Sequence, residues 1–275
     1  MNRASITALV PDHVLARLGP APEDLSRLGS FRVLRGNGLV LKVGPEDRVR
    51  RESFVGPLLT RSGALAVPPL LDAGPSWLLY EALDGVAWGN GPEPLGLLAR
   101  LHDAFEGSPA LDDLRLRDVL GRELDGLLAE TRSSDPRLPE PLALLLADPT
   151  PLVDVLRDEP RTLVHGDAWP GNVLATRSGP AWFDWEEAGA APAAYDVAVW
   201  LHGSPWVPAS AEPARDLAVY SAARPTIDFS IFTQAVDAAT VLIFLALDAA
   251  NIDKVTTTFA EGMVERRRAL AESFV

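Results

Sequence analysis

Two β-rich runs flank Gly36-Asn37-Gly38 in the stretch 31–43, Phe-Arg-Val-Leu-Arg-Gly-Asn-Gly-Leu-Val-Leu-Lys-Val, and this pattern predicts a β-hairpin. Pro45 sits where a helix would start, with Glu46 and Asp47 in its first turn, and predicts a helix running to about Arg61. Val67 to Asp72 reads as a short strand or edge with Pro68-Pro69 inside it, and Trp77 to Glu81 as an apolar strand. After Gly85 the period changes. Pro92 to Phe105, Leu111 to Glu130, Pro139 to Leu146 and Pro151 to Asp158 carry helical apolar spacing. Thr162 to Val164 is a short apolar run. Val173 to Ala175 and Ala181 to Asp184 then flank the turn-like Thr176 to Pro180. From Pro192 the chain reads helical, with long segments near Ile227 to Asn251 and from Asp253 to Glu272.

The pattern divides the chain into a small β-rich part, 1–83, and a larger helical part, 84–275, joined at Leu83-Asp84-Gly85. No internal repeat or low-complexity tract interrupts it. Composition agrees: 275 residues, 47% of them hydrophobic, suffice for a buried core and about two domains. The balance of 25 Lys+Arg against 38 Asp+Glu gives a net charge of −13, without the basic footprint of a nucleic-acid binder. An acidic protein suits a cationic small substrate, although acidity also serves solubility alone. The absence of cysteine excludes disulfides, thiolate zinc sites and thiol nucleophiles. Residues 1–19 lack the long apolar region of a signal peptide. The most apolar run, Val241 to Leu247, is far short of the roughly 20 residues that span a bilayer. A soluble, cytoplasmic protein with no membrane or nucleic-acid partner is expected.

The candidate chemistry lies in His165-Gly-Asp-Ala-Trp-Pro-Gly-Asn172 and the Asp184 that follows. His-Gly-Asp after an apolar strand puts a carboxylate on a loop at a strand end. A hairpin centred near Ser178-Gly179 would pair residue 173 with residue 184, so that Asn172 and Asp184 lie together at its open end, within reach of Asp167. Two carboxylates and an amide form an oxygen-donor set that suits Mg²⁺.

This arrangement resembles the aminoglycoside phosphotransferase and choline kinase-like family, small-molecule relatives of the protein kinases. That family's loop, H-G-D-x-x-x-x-N, is filled here by His165, Gly166, Asp167 and Asn172, and its later metal-binding acid falls in Phe183-Asp184-Trp185-Glu186. The resemblance runs from about residue 30 to residue 203. It implies an α+β, bilobal protein kinase-like fold: a small antiparallel β-sheet N-lobe with one helix, and a larger, mainly helical C-lobe with the catalytic loop and the acceptor-binding surface. It implies ATP and Mg²⁺ as cofactors and transfer of the γ-phosphate to a hydroxyl of a small molecule, such as an aminoglycoside-like antibiotic, an amino alcohol or a sugar. Asp167 would accept or orient the hydroxyl proton, and Asn172 and Asp184 would hold the metal.

The resemblance also assigns parts upstream. Lys42, within Leu41-Lys42-Val43, would grip the ATP phosphates, and Glu52 on the next helix would orient it. Lys42 is the only lysine in the first half of the chain, where basic residues are otherwise arginine, and the two are not interchangeable at a point contact to phosphate. Tyr80 to Leu83, including Ala82, resembles the interlobe linker whose backbone binds the adenine edge. His102, in Leu98-Ala-Arg-Leu-His102, is expected to pack or cap. Asp196, in Tyr195-Asp196-Val197, is expected to brace the catalytic loop, and His165 to orient it.

Glu186, Glu187, Asp237, Asp248 and Asp253 would form an acidic pocket for an amine-bearing acceptor. Solvated helix faces and caps are the simpler account of most of them; Asp248 stands out because it interrupts a very apolar helix. A non-catalytic nucleotide-binding kinase-like protein is opposed by the joint presence of Lys42, Asp167, Asn172 and Asp184. A metal-dependent hydrolase would need further ligating histidines, and His13, His102 and His202 lack ligand spacing.

Overall fold

The structure, a computed structural model, describes residues 6–26, 31–89, 91–121, 138–203, 209–248 and 257–275; the side chains of 247, 248 and 257–261 lie outside the described set. The chain forms two compact units, residues 1–90 with 170–188, and residues 91–169 with 189–275. Residues 84–90 and 170–188 thus group with the first unit, beyond the linear division at 83/84.

The first unit is built on a five-stranded antiparallel sheet. Its strands are β1 (Glu23–Asp24), β2 (Arg32–Gly36), β3 (Leu39–Val43), β4 (Leu70–Gly74) and β5 (Trp77–Glu81), in the order β1-β2-β3-β5-β4. The β2–β3 hairpin closes at Asn37-Gly38, whose φ angles of +49° and +72° are those of a tight turn that needs Asn-Gly chemistry. Pro68-Pro69 precede β4 rather than interrupting it, and β4 occupies the sheet edge, where a missing N–H is tolerated. Alternation along β3 and β5 sorts the faces. Leu41, Val43, Trp77 and Leu79 pack with Ile6, Val10, Val14 and Leu18, the last two on or beside helix α1 (Asp12–Arg17). Leu78 and Tyr80 pack with Phe31 and with Val49 of helix α2 (Glu46–Ser62) on the other face. Leu41, Leu78 and Leu79 are fully buried, each contributing about 1.5–3 kcal/mol. Lys42, between Leu41 and Val43, shares the α2-facing side.

A second sheet of this unit joins β6 (Gly85–Ala87), β9 (Val173–Thr176) and β10 (Gly179–Trp182), in the order β10-β9-β6. Val173 pairs with Trp182 and Thr176 with Gly179. The register is thus displaced by two residues from the expected pairing of 173 with 184. Gly179 is the first paired residue of β10 and not part of the turn. Thr176 makes the tighter turn, its hydroxyl accepting from Ser178 N–H and donating to the Gly179 carbonyl.

The second unit is mainly helical: α3 (Glu93–Phe105), α4 (Glu140–Ala147), α5 (Thr150–Arg157), α6 (Ala194–His202), α7 (Pro213–Ala223), α8 (Phe229–Ile243), continued by a π-helical turn to Asp248, and α9 (Thr257–Ala271). A small sheet joins β7 (Arg117–Asp118), β11 (Gly189–Pro192) and β8 (Arg161–Val164). The helix expected over Leu111 to Glu130 does not form in its described part, residues 111–121. A short 3₁₀ turn ends at Asp112, and Asp113 then binds the backbone N–H and guanidinium of Arg115, an alternative to helical bonding; residues 122–130 lie outside the described set. The 18-residue stretch Phe229–Ala246 is long and apolar enough to cross a membrane by length and composition, longer than the run singled out from the sequence, with mean hydropathy 1.7. It is 67% buried within this unit, where α8 packs on α5, α6 and α9 as a core helix.

Candidate active site

Within the first unit, Lys42 is held between two carboxylates. Its Nζ donates to Glu52 Oε2 at 2.5 Å and to Asp184 Oδ1 at 2.5 Å. Glu52 lies on the buried stripe of α2, three residues after Val49 and three before Val55. A carboxylate at an apolar helical position needs partners, and it has two: Lys42, and the Tyr80 hydroxyl, which donates to Oε1 at 2.9 Å. Phe31 completes the setting, with Lys42 Nζ 4.4 Å from its ring centroid. Burial alone would lower the Lys42 pKa; Glu52 and Asp184 outweigh it and hold the ammonium above its ordinary value, charged. The Lys42 and Glu52 side chains are 9% and 4% exposed, that of Asp184 37%. The buried end of the pair is structural, while the Asp184 end opens to solvent.

Asp184 has φ +67° and ψ +58°, a left-handed conformation uncommon outside glycine, and turns the chain out of β10 into the 3₁₀ segment Trp185–Glu187. Phe183 N–H donates to the Asn172 carbonyl at 3.1 Å, so the Asn172 and Asp184 backbones meet at the hairpin's open end, one residue out of register. Among the described residues no three His, Cys, Asp or Glu side chains gather as a metal cluster. One carboxylate and one amide are nonetheless the kind of sparse oxygen set with which Mg²⁺ keeps its waters and phosphate ligands.

Glu186 and Glu187 are engaged by arginines of α2. Arg48 Nη1 reaches Glu186 Oε1 at 2.7 Å and Glu187 Oε1 at 2.9 Å, and Arg51 Nη1 donates to the Glu186 carbonyl. Burial first, then the Asp184 carboxylate, push Glu186 up to about 7, against the opposing pull of Lys42 and Arg48. This docking of the 185–187 turn on α2 differs from the acceptor pocket expected of these two residues. Of the other acids expected there, Asp237 is half-buried on α8 in the second unit, its pKa raised by burial. The Asp248 side chain and Asp253 lie outside the described residues. At the expected linker, the Ala82 N–H donates to the Gly38 carbonyl at 2.8 Å, and the Tyr80 side chain reaches Glu52.

In the second unit, β8 delivers His165, Gly166 and Asp167. Gly166 takes φ +82°, a left-handed conformation that glycine adopts without a Cβ penalty. The Asp196 carboxylate, fully buried on α6, accepts the backbone N–H of His165 at 2.7 Å and of Gly166 at 2.9 Å. Asp167 N–H donates to His165 Nδ1 at 3.3 Å. His102, fully buried on α3, faces Asp196 Oδ2 through Nε2 at 3.2 Å and the Tyr220 hydroxyl through Nδ1 at 2.7 Å. Tyr220 in turn accepts from Arg224. The sequence reading missed Phe31, Arg48, Arg51, Tyr220 and Arg224. A sequence signal existed for Arg48 and Arg51, which share α2 with Glu52; none existed for Tyr220 and Arg224.

Solved structures share this architecture. A choline/ethanolamine kinase family protein from Mesorhizobium loti is 20% identical, with a TM-score of 0.65 over 98% of this chain and 93% of that one. Aminoglycoside 2'-phosphotransferase-IIIa, solved with GDP, is 16% identical, with a TM-score of 0.71 over 98% and 99%. A thermostable mutant of aminoglycoside phosphotransferase APH(4)-Ia, solved with ADP and hygromycin B, is 17% identical, with a TM-score of 0.63 over 96% and 98%. No curated protein matches the sequence. The fold is therefore the α+β, protein kinase-like fold of small-molecule kinases. The model of the phosphotransferase enzyme family matches residues 18–228, and the chain belongs to that family: it is a small-molecule kinase, as the resemblance in its loop implied.

Proposed function

We propose that the chain transfers the γ-phosphate of ATP to a hydroxyl of a small molecule, with Asp167 as the base. The observation that carries this reading is Lys42 held charged between Glu52 and Asp184, a buried cation with one solvent-facing carboxylate partner. Such a cation is poised for anionic oxygens, and its orientation by Glu52 and Tyr80 costs nothing at the moment of reaction. Asn172 and Asp184 would hold Mg²⁺, whose chemistry when bound is to neutralise phosphate charge. Asp167 takes the proton of the attacking hydroxyl. His165 fixes the start of its loop by accepting the Asp167 N–H.

The test is ADP release from Mg·ATP, screened across aminoglycosides, macrolides, amino alcohols, sugars and amino acids, with Asp167→Ala in parallel. The wild type should release ADP with one acceptor class. The variant should bind ATP as tightly and lose about 10²-fold or more in kcat. Equal turnover in the variant would remove Asp167 as the base, and no release with any acceptor would promote a non-catalytic nucleotide-binding role.

A further inference from the structure

We infer that Tyr220 and Arg224 are positioning residues for the catalytic loop, acting on it through His102 and Asp196; the inference rests on the reading of residues 165–172 as the phosphotransfer loop.

The hydrogen bonds run in one direction. An arginine guanidinium only donates, so Arg224 Nη1, 3.2 Å from Tyr220 Oη, uses a lone pair of that oxygen. From the other end, the Asp196 carboxylate holds the neutral ring's proton on Nε2, so Nδ1 accepts and the Tyr220 hydroxyl proton points to it at 2.7 Å. The His102 Nε2 faces Asp196 Oδ2 at 3.2 Å, an oxygen able only to accept when ionised. Asp196 passes the constraint on by accepting the His165 and Gly166 N–H groups. Burial lowers the His102 pKa despite Asp196, which agrees with a neutral ring.

Burial makes this chain specific. His102, His165, Asp196 and Tyr220 are fully buried and Arg224 is 4% exposed, so water cannot stand in for a missing member. The outer end is anchored on α3, the helix that carries His102. Arg224 Nε donates to Asp103 at 2.5 Å and its Nη2 to Glu106, both carboxylates partly exposed. Without the Tyr220 hydroxyl, His102 Nδ1 becomes a buried acceptor with no donor. The ring can escape by rotating or changing tautomer, and either removes one of the two donors at Asp196 Oδ2, the other being the His165 N–H. Gly166 sits in a left-handed conformation directly after those bonds, where slack in the amides displaces Asp167.

Tyr220→Phe tests this in the full chain. It keeps the ring, stacked on Phe232 at 5.1 Å and 4°, and deletes only the hydroxyl. Amide exchange at His165 and Gly166 should accelerate about tenfold, the size of one net hydrogen bond, while amides of β3 stay unchanged. The His102 ring ¹⁵N shifts should move away from the Nε2–H tautomer. The rate of ADP release from Mg·ATP should fall about three- to tenfold with KM for ATP unchanged. Should Tyr220→Phe fail to fold, Arg224→Lys, which keeps the charge and loses the fork, is read by the same exchange measurement. Unaltered exchange at His165 and Gly166 in a folded variant overturns the inference. The exchange needs neither nucleotide nor acceptor, so a wild type that releases no ADP sinks the phosphotransfer reading and leaves this result to stand or fall by itself.

Discussion

Glu186→Gln removes one ionisable group beside Lys42 and Asp184. The folded pKa of Glu186, about 7, stands above its ordinary 4.5 because burial and then Asp184 disfavour the anion more than Lys42 and Arg48 favour it. The ion pair to Arg48 does not reverse the sign: Arg48 is 34% exposed and shares its guanidinium with Glu187. A carboxyl whose folded pKa is raised binds its proton more tightly folded than unfolded. It costs nothing below pH 4.5, and the cost grows as pH rises towards 7. At about 1.4 kcal/mol per pH unit, the cost is roughly 1 kcal/mol at pH 5 and about 3 kcal/mol at pH 8. The side chain is 18% exposed, so limited screening trims the swing to about 2 kcal/mol. Glutamine cannot titrate, so the melting temperature of the variant minus that of the wild type should rise by about 4–8 °C between pH 5 and pH 8. Thermal melts at four pH values measure this, and a ¹³C titration of the Glu186 carboxyl gives the midpoint directly. A melting difference that stays constant with pH, or a midpoint under 5, would refute the reasoning.

Two further outcomes follow from the same geometry. Asp184→Asn should weaken Mg²⁺-dependent nucleotide affinity about tenfold or more while leaving metal-free affinity nearly unchanged; calorimetry with and without Mg²⁺ separates the two, and an unchanged metal dependence counts against the assignment. Leu41→Ala, at a fully buried position between α1 and the sheet, should cost about 2–5 kcal/mol in urea unfolding, and a loss below about 1 kcal/mol would contradict the packing.

The elements that carry local signals were legible in the sequence. The β2–β3 hairpin follows from Asn37-Gly38, and the start of α2 from Pro45 with the acids after it. The loop motif led to the family. The β9–β10 register was misjudged because Ser178-Gly179 looks like the turn, whereas the Thr176 hydroxyl shortens it to Arg177-Ser178. Over residues 111–121 the expected helix is absent because apolar spacing carries no record of the Asp113–Arg115 interaction that competes with it. Tyr80 on Glu52 and Tyr220 on His102 join residues 28 and 118 positions apart. Such buried polar contacts have no period, and only the folded backbone brings the partners within 3.2 Å.

The return of residues 170–188 to the first unit has a consequence for the chain as it leaves the ribosome. The β6 strand waits for β9, and Ala66 waits for its bridge to Ala181, so roughly a hundred residues must be made before either partner exists. Lys42 and Glu52 emerge early and close together, yet Asp184 is translated 142 residues after Lys42. Through that interval one charge of the triad is missing. The nascent first unit cannot be mature when its own ninety residues are complete, and a fragment cut at residue 90 would lack two strands and the carboxylate that faces solvent at Lys42.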